Sequence, residues 1–235
     1  QAVPTMYDAD LPLASANGLA VAAPFYLNEG KSSTPTHGTF AYVRDQFNTN
    51  ANVIQYACQR NAAFIITDGF ANDDGVEPPA YNQATYGTGS PYQTITAESL
   101  ADQALAYFTL RLRTDLVAGR VPLGPQNVAN PDRNSDLHLN TYALTLGTKG
   151  TLWPNTVSPF SVPPVWPVPA KNDPSMIDDL WHATINGRGQ MYLATDTETT
   201  SKGLQAALNE IKGQVGAQSA VAVGTVHLSA TGNQA

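Results

Sequence analysis

RNAAFIITDGFANDDG, residues 60–75, is the stretch on which the fold turns. Ala62, Ala63, Phe64, Ile65 and Ile66 form an unbroken apolar run that ends in Thr67-Asp68-Gly69. A short apolar run of this kind suits a strand covered on both faces, as strands of a parallel sheet are. It therefore reads as the central strand, with Asp68 at its carboxyl tip. In open α/β sheets that edge is where ligands bind.

Upstream, residues 1–30 form an irregular lead-in, with one possible strand at Leu19–Leu27. Thr34-Pro35-Thr36 makes a loop, and Phe40, Val43 and Phe47 follow at helical spacing. Downstream, residues 69–96 are polar and turn-rich. Thr96 then caps a helix with Glu98 in its first turn and Leu100, Ala101, Ala104, Leu105, Phe108, Leu112 and Leu116 on one stripe, ending at Gly119. Leu137–Leu146 reads as a second strand. Seven prolines between 154 and 174 exclude regular structure and mark a surface excursion carrying Trp153 and Trp166. Ser175 and Asp178 resemble a capping box for a helix through Leu180, Trp181 and Ala183 that stops at Gly187 or Gly189. Met191–Ala194 is a third short strand, and Thr195 with Glu198 opens a last helix carrying Leu204, Leu208, Ile211 and Val215. Helices and strands alternate throughout, which implies α/β architecture: a mostly parallel sheet with helices on both faces. A single domain over 1–235 is expected, with a core at 31–217 and a strand-like exit at 218–235.

Composition narrows the function classes. Only 13% of residues are charged and the net charge is −7, with no Lys/Arg cluster, which argues against a nucleic-acid partner. No apolar run approaches the length of a membrane span. One cysteine, Cys58, precludes an internal disulfide; a buried free thiol is the expectation, pairing outside this chain the alternative.

Gln55–Gln59 with FIITDGFANDDG, the helix Ser99–Phe108, TYALTLGTKGTL (141–152) and above all IDDLWHATINGRGQMYLATD (177–196) resemble the N-terminal region of the PilY/PilC-type pilus tip adhesins. The resemblance implies a Rossmann-like von Willebrand factor A-type fold with long loop insertions, here lacking its first strand and loop. It implies a secreted, non-enzymatic protein at the pilus tip or outer membrane of a Gram-negative bacterium, acting in pilus assembly and adhesion. Minor pilins and a host or abiotic surface receptor are the implied partners, and further chain beyond this stretch is expected.

Such domains hold a divalent cation, typically Mg²⁺, with oxygen ligands from three loops. By that resemblance Asp68 matches the third loop and Thr36, or Thr34, the second; the Asp-x-Ser-x-Ser of the first loop is absent. The site is incomplete, and the bland alternative is that the Asp68 carboxylate merely accepts backbone N–H groups in its turn. Loop residues His37, Phe70, Asp73, Asp74, Trp153 and Trp166 are the expected partner contacts. Asp73-Asp74-Gly75 reads as a solvated turn rather than a calcium loop. In the 177–196 block, Asp178 and Asp179 are expected to stabilise their own helix start, Trp181 to pack in the core, and His182 to satisfy a buried hydrogen bond. The rival functions are a metal-dependent hydrolase or phosphatase-like enzyme using Asp68, against which stands the lack of a Gly-x-Ser-x-Gly elbow or phosphate-cradling loop, and a purely structural domain.

Overall fold

A computed structural model describes residues 34–209 apart from 88, 95 and 207. The Leu19–Leu27 strand, the lead-in, the exit at 218–235 and the end of the last helix, with Ile211 and Val215, lie outside the described residues. Within them the order is α1 (Thr36–Thr49), β1 (Ala62–Thr67), a 3-10 turn (Gln83–Thr85), α2 (Leu100–Thr109), β2 (Asn140–Leu146), α3 (Ser175–Asn186) and β3 (Arg188–Ala194). Residues 197–206 are helical. The three strands make one parallel sheet in the order β1-β2-β3.

Strand side chains alternate between faces, and the register separates two layers. Ala63, Ala143 and Met191 join the main core cluster with Phe40 and Phe47 of α1, Leu100, Ala104 and Tyr107 of α2, and Ile177 and Leu180 of α3. On the opposite face Ile66, Leu144 and Tyr192 are aligned across the sheet. There the helix from 197 lies close: a Cβ at Gly203 would come within 2.8 Å of Leu144 Cδ1. Helices thus flank both faces.

The central strand is β2, not β1. Asn140–Thr145 are buried throughout, whereas β1 is an edge strand among the described residues and Ile66 is 53% exposed. An unbroken apolar run does not distinguish a central strand from an edge whose residues lie partly uncovered.

Long-range hydrogen bonds also move the helix ends. Ser99, not Thr96, caps α2, its Oγ accepting from Asp102 N at 3.1 Å. The helix stops at Thr109, short of Gly119, because the segment before β2 takes its last carbonyls: Leu139 N donates to Tyr107 O and Asn134 Nδ2 to Phe108 O. At α3 the Ser175–Asp178 box is not formed. Asp173 Oδ1 accepts from Ser175 N at 2.9 Å instead, and Asp178 is engaged elsewhere. At the helix from 197 the reciprocal pair is Asp196 with Thr199, one residue on from the Thr195–Glu198 reading.

β3 reaches β2 through an irregularity opposite Thr141 and Ala143. Thr141 N donates to Gly187 O at 3.1 Å, and a Cβ on Gly189 would overlap the Thr141 carbonyl oxygen. Gly-Arg-Gly at 187–189 is therefore a requirement of backbone approach. Arg188 itself, at φ 57°, turns inward. Its guanidinium lies 4.3 Å from the Tyr92 ring centroid and 4.6 Å from that of Phe108, and donates to the carbonyls of Ile185, Asn186 and Tyr86. Carbonyls at the end of α3, left without intrahelical partners, thereby gain a cationic donor.

Candidate functional site

At the carboxyl edge of β1 the turn is closed by Thr67, whose Oγ1 accepts from Gly69 N at 3.2 Å and donates to Gly69 O at 2.9 Å. This replaces the expected role of the Asp68 carboxylate as acceptor in the turn. That carboxylate is exposed and has no hydrogen bond or ion pair among the described residues, while the Asp68 carbonyl accepts from Thr148 Oγ1 of the loop after β2 at 2.6 Å.

The loop before α1 is tied to the same edge. Thr34 N donates to Asn72 Oδ1 at 2.7 Å and Asn72 N returns a bond to Thr34 O at 3.2 Å. A Cβ on Gly69 would lie 4.0 Å from Thr34 Oγ1. Asp73 adds a second tie, accepting from Gly38 N at 2.9 Å and meeting His37 Nδ1 at 2.9 Å. Burial alone would raise the Asp73 pKa; the bonds from His37 and Gly38 outweigh it and hold the carboxyl below the usual range. Asp73 is thus a structural clasp rather than a solvated turn residue. Asp74 beside it is exposed and pairs with Lys171 at 2.5 Å.

The edge therefore brings together Thr34, Thr36, Asp68, Phe70, Asp73 and Asp74. Two expected contacts are corrected by burial. His37 is only 2% exposed, held between Asp73 and, at 3.9 Å, the Asp179 carboxylate. Trp166 is 8% exposed, and Trp153 is half-buried against Trp181 with ring centroids 5.5 Å apart. Indole rings are large apolar surfaces, and α3 offers them cover. The excursion turns Val162, Val165 and Val168 outward instead. Sequence reading missed Asn72 and Thr148 as positioning groups; Asn in a turn signals local bonding, but its partner at Thr34 is remote in sequence.

The residues at hand do not make an ion cage. Asp68 supplies one carboxylate, and the Thr36 hydroxyl faces the Thr34 carbonyl at 3.5 Å. Among the described residues no three His, Cys, Asp or Glu side chains are grouped to hold a metal. Mg²⁺ or Ca²⁺ needs more oxygens than these.

The acids of the 177–196 block serve other elements rather than their own helix start. Asp178 accepts N–H bonds from Thr151, Leu152 and Trp153 at 2.8–2.9 Å. Asp179 accepts from Leu100 and Ala101 at the start of α2, at 2.8 and 3.1 Å, completing the cap that Ser99 begins. Burial pushes Asp179 up to about 6, against the pull of those two N–H groups, His37 and Ser99. His182 is pushed down to about 3 by burial, and its Nε2 has no partner among the described residues, so the satisfied hydrogen bond expected there is incomplete. Trp181 is in the core as expected. Cys58 is free and exposed, not buried.

No protein-family model matches the chain, and no solved structure matches it. Three curated proteins do, all bearing the name type IV pilus biogenesis factor PilY1 and all from Pseudomonas aeruginosa. Identity is 29% over 188 residues with strain PAO1, spanning 68% of this chain, and 27% over 209 residues with strain PAK, spanning 77%. The matched region is 16% and 18% of those relatives' own length, so the chain spans less than a fifth of either. Over most of its length the chain is homologous to one region of a type IV pilus biogenesis factor.

Proposed function

We propose that this chain is a non-enzymatic assembly and adhesion module of a type IV pilus tip protein, of von Willebrand factor A-like type, displayed on the surface of a Gram-negative bacterium. The homology to PilY1 supports the pilus assignment. Three parallel strands flanked by helices are compatible with a Rossmann-like arrangement. No helix among the described residues is long and apolar enough to cross a membrane. Minor pilins, the tip complex and a host or abiotic surface are the proposed partners.

The observation that carries the contact surface is the free Asp68 carboxylate beside the clasped loops of Thr34 and Asp73. Binding runs through the exposed carboxylates of this edge, Asp68 and Asp74, with the half-buried Phe70 beside them, while His37 and Asp73 hold its shape. Asp68, Thr34 and Thr36 form the incomplete half of a divalent-cation site, and no step of the proposed binding passes through an ion. Titration with Mg²⁺, read by thermal unfolding, tests this. The chain and its Asp68→Ala variant respond equally if the half-site is empty of function by itself; an Asp68-dependent rise in Tm would contradict that reading.

A further inference from the structure

Trp166 lies flat on the imidazole of His182, ring centroids 4.0 Å apart and planes 5° from parallel. Its indole N–H donates to the Pro91 carbonyl at 2.9 Å, and its ring meets Trp181 edge-on at 5.1 Å. Beside this stack runs a narrow cleft between the proline-rich excursion and the starts of α2 and α3, lined by Thr96, Ser99, Trp166, Pro167, Asp179 and His182. It leaves about 10 Å³ for the centre of a water-sized group, room for a single water.

The polar groups of this cleft define what enters it. His182 is 3% exposed, and its Nε2 finds no hydrogen-bond partner among the described residues. Burial keeps the ring neutral at ordinary pH. A neutral imidazole has one N–H donor and one bare acceptor nitrogen, and a water molecule can serve either. The α2 N–H groups of Leu100 and Ala101 are held by the Asp179 carboxylate. An occupant must therefore hydrogen-bond His182 Nε2, and the space excludes anything larger than one small molecule. A cation would meet a bare imidazole but only a carboxylate already committed to two N–H groups.

We propose that the cleft binds one ordered water, hydrogen-bonded to His182 Nε2 and to the Asp179 carboxylate. The water fixes the plane of the imidazole on which Trp166 stacks. That stack joins α3 to the excursion that presents Val162, Val165 and Val168 to solvent.

A crystal structure of the 235-residue chain tests the proposal. Water density at about 2.9 Å from Nε2 is expected; an empty cleft, or an Nε2 bonded to a protein group, would overturn it. His182→Phe keeps a flat ring under Trp166 but has no acceptor, so the water is lost and the Trp166 stack remains. His182→Gln offers an acceptor again and restores it. Water retained unchanged over the Phe variant overturns the assignment to Nε2, and should that variant not fold, the native and Gln structures decide between the same outcomes.

Discussion

Asp179 and His182, one turn apart on α3, carry opposite pH dependences. Asp179 keeps its proton to about 6 in the fold, above the usual carboxyl value, so it withdraws stability as pH rises from about 4 to 6. His182 stays neutral down to about 3, so the unfolded chain takes up a proton first and stability is lost as pH falls below about 6.5. Between about 4 and 6 the two slopes oppose each other. Carboxyls held below the usual range, Asp73 among them, add a slope of the opposite sign that is mostly complete by about pH 5; in His182→Phe, urea unfolding followed from about 5 to 6 then gives a stability that falls with rising pH. A variant whose stability still rises with pH there would show that His182 is not the acid-sensitive group. Asp178→Ala strands three N–H groups at 151–153 and costs about 3 kcal/mol, read as a lower Tm. The sequence names both carboxylates as helix-start acids because spacing along α3 is visible there. Their true partners, 25–27 residues away for Asp178 and 78–79 for Asp179, are not.

At the level of elements, periodicity exposes the alternation of helix and strand from α1 to the helix after β3, because each segment buries its own apolar stripe. What it hides is decided by contacts between segments. The early end of α2 follows from Leu139 and Asn134 taking its carbonyls, and the inward turn of Trp166 from the ring surface of His182 and Trp181. The edge position of β1 among the described residues is hidden for the same reason. Its run Ala62–Thr67 has no charge or proline to discourage pairing, and Ile66 is open to solvent. Ile66→Lys lowers the tendency of the isolated chain to associate, measurable by light scattering, with little change in Tm. By contrast Gly189→Ala forces β3 away from the Thr141 carbonyl and costs about 2 kcal/mol in chemical denaturation.

Across the whole molecule, the part most specific in sequence and the part proposed to bind are different. The 177–196 block resembles the pilus tip adhesins most closely, yet Asp178, Asp179 and Arg188 there are spent on the 151–153 turn, the cap of α2 and the end of α3 respectively. The sheet edge, with its uncommitted Asp68, is left free to meet a partner. The candidate site was legible as far as Asp68, Thr34 and Asp73 lying in loops of one edge. The clasp between them was not, since it depends on bonds spanning 35–38 residues. The direct measurement is adherence and surface piliation in a bacterium whose full-length protein carries Asp68→Lys with Asp74→Lys, beside one carrying Val165→Lys alone. Loss of adherence in the edge variant, with Tm unchanged and the valine variant active, is the expected result. Full adherence with both edge carboxylates reversed would contradict binding at this edge.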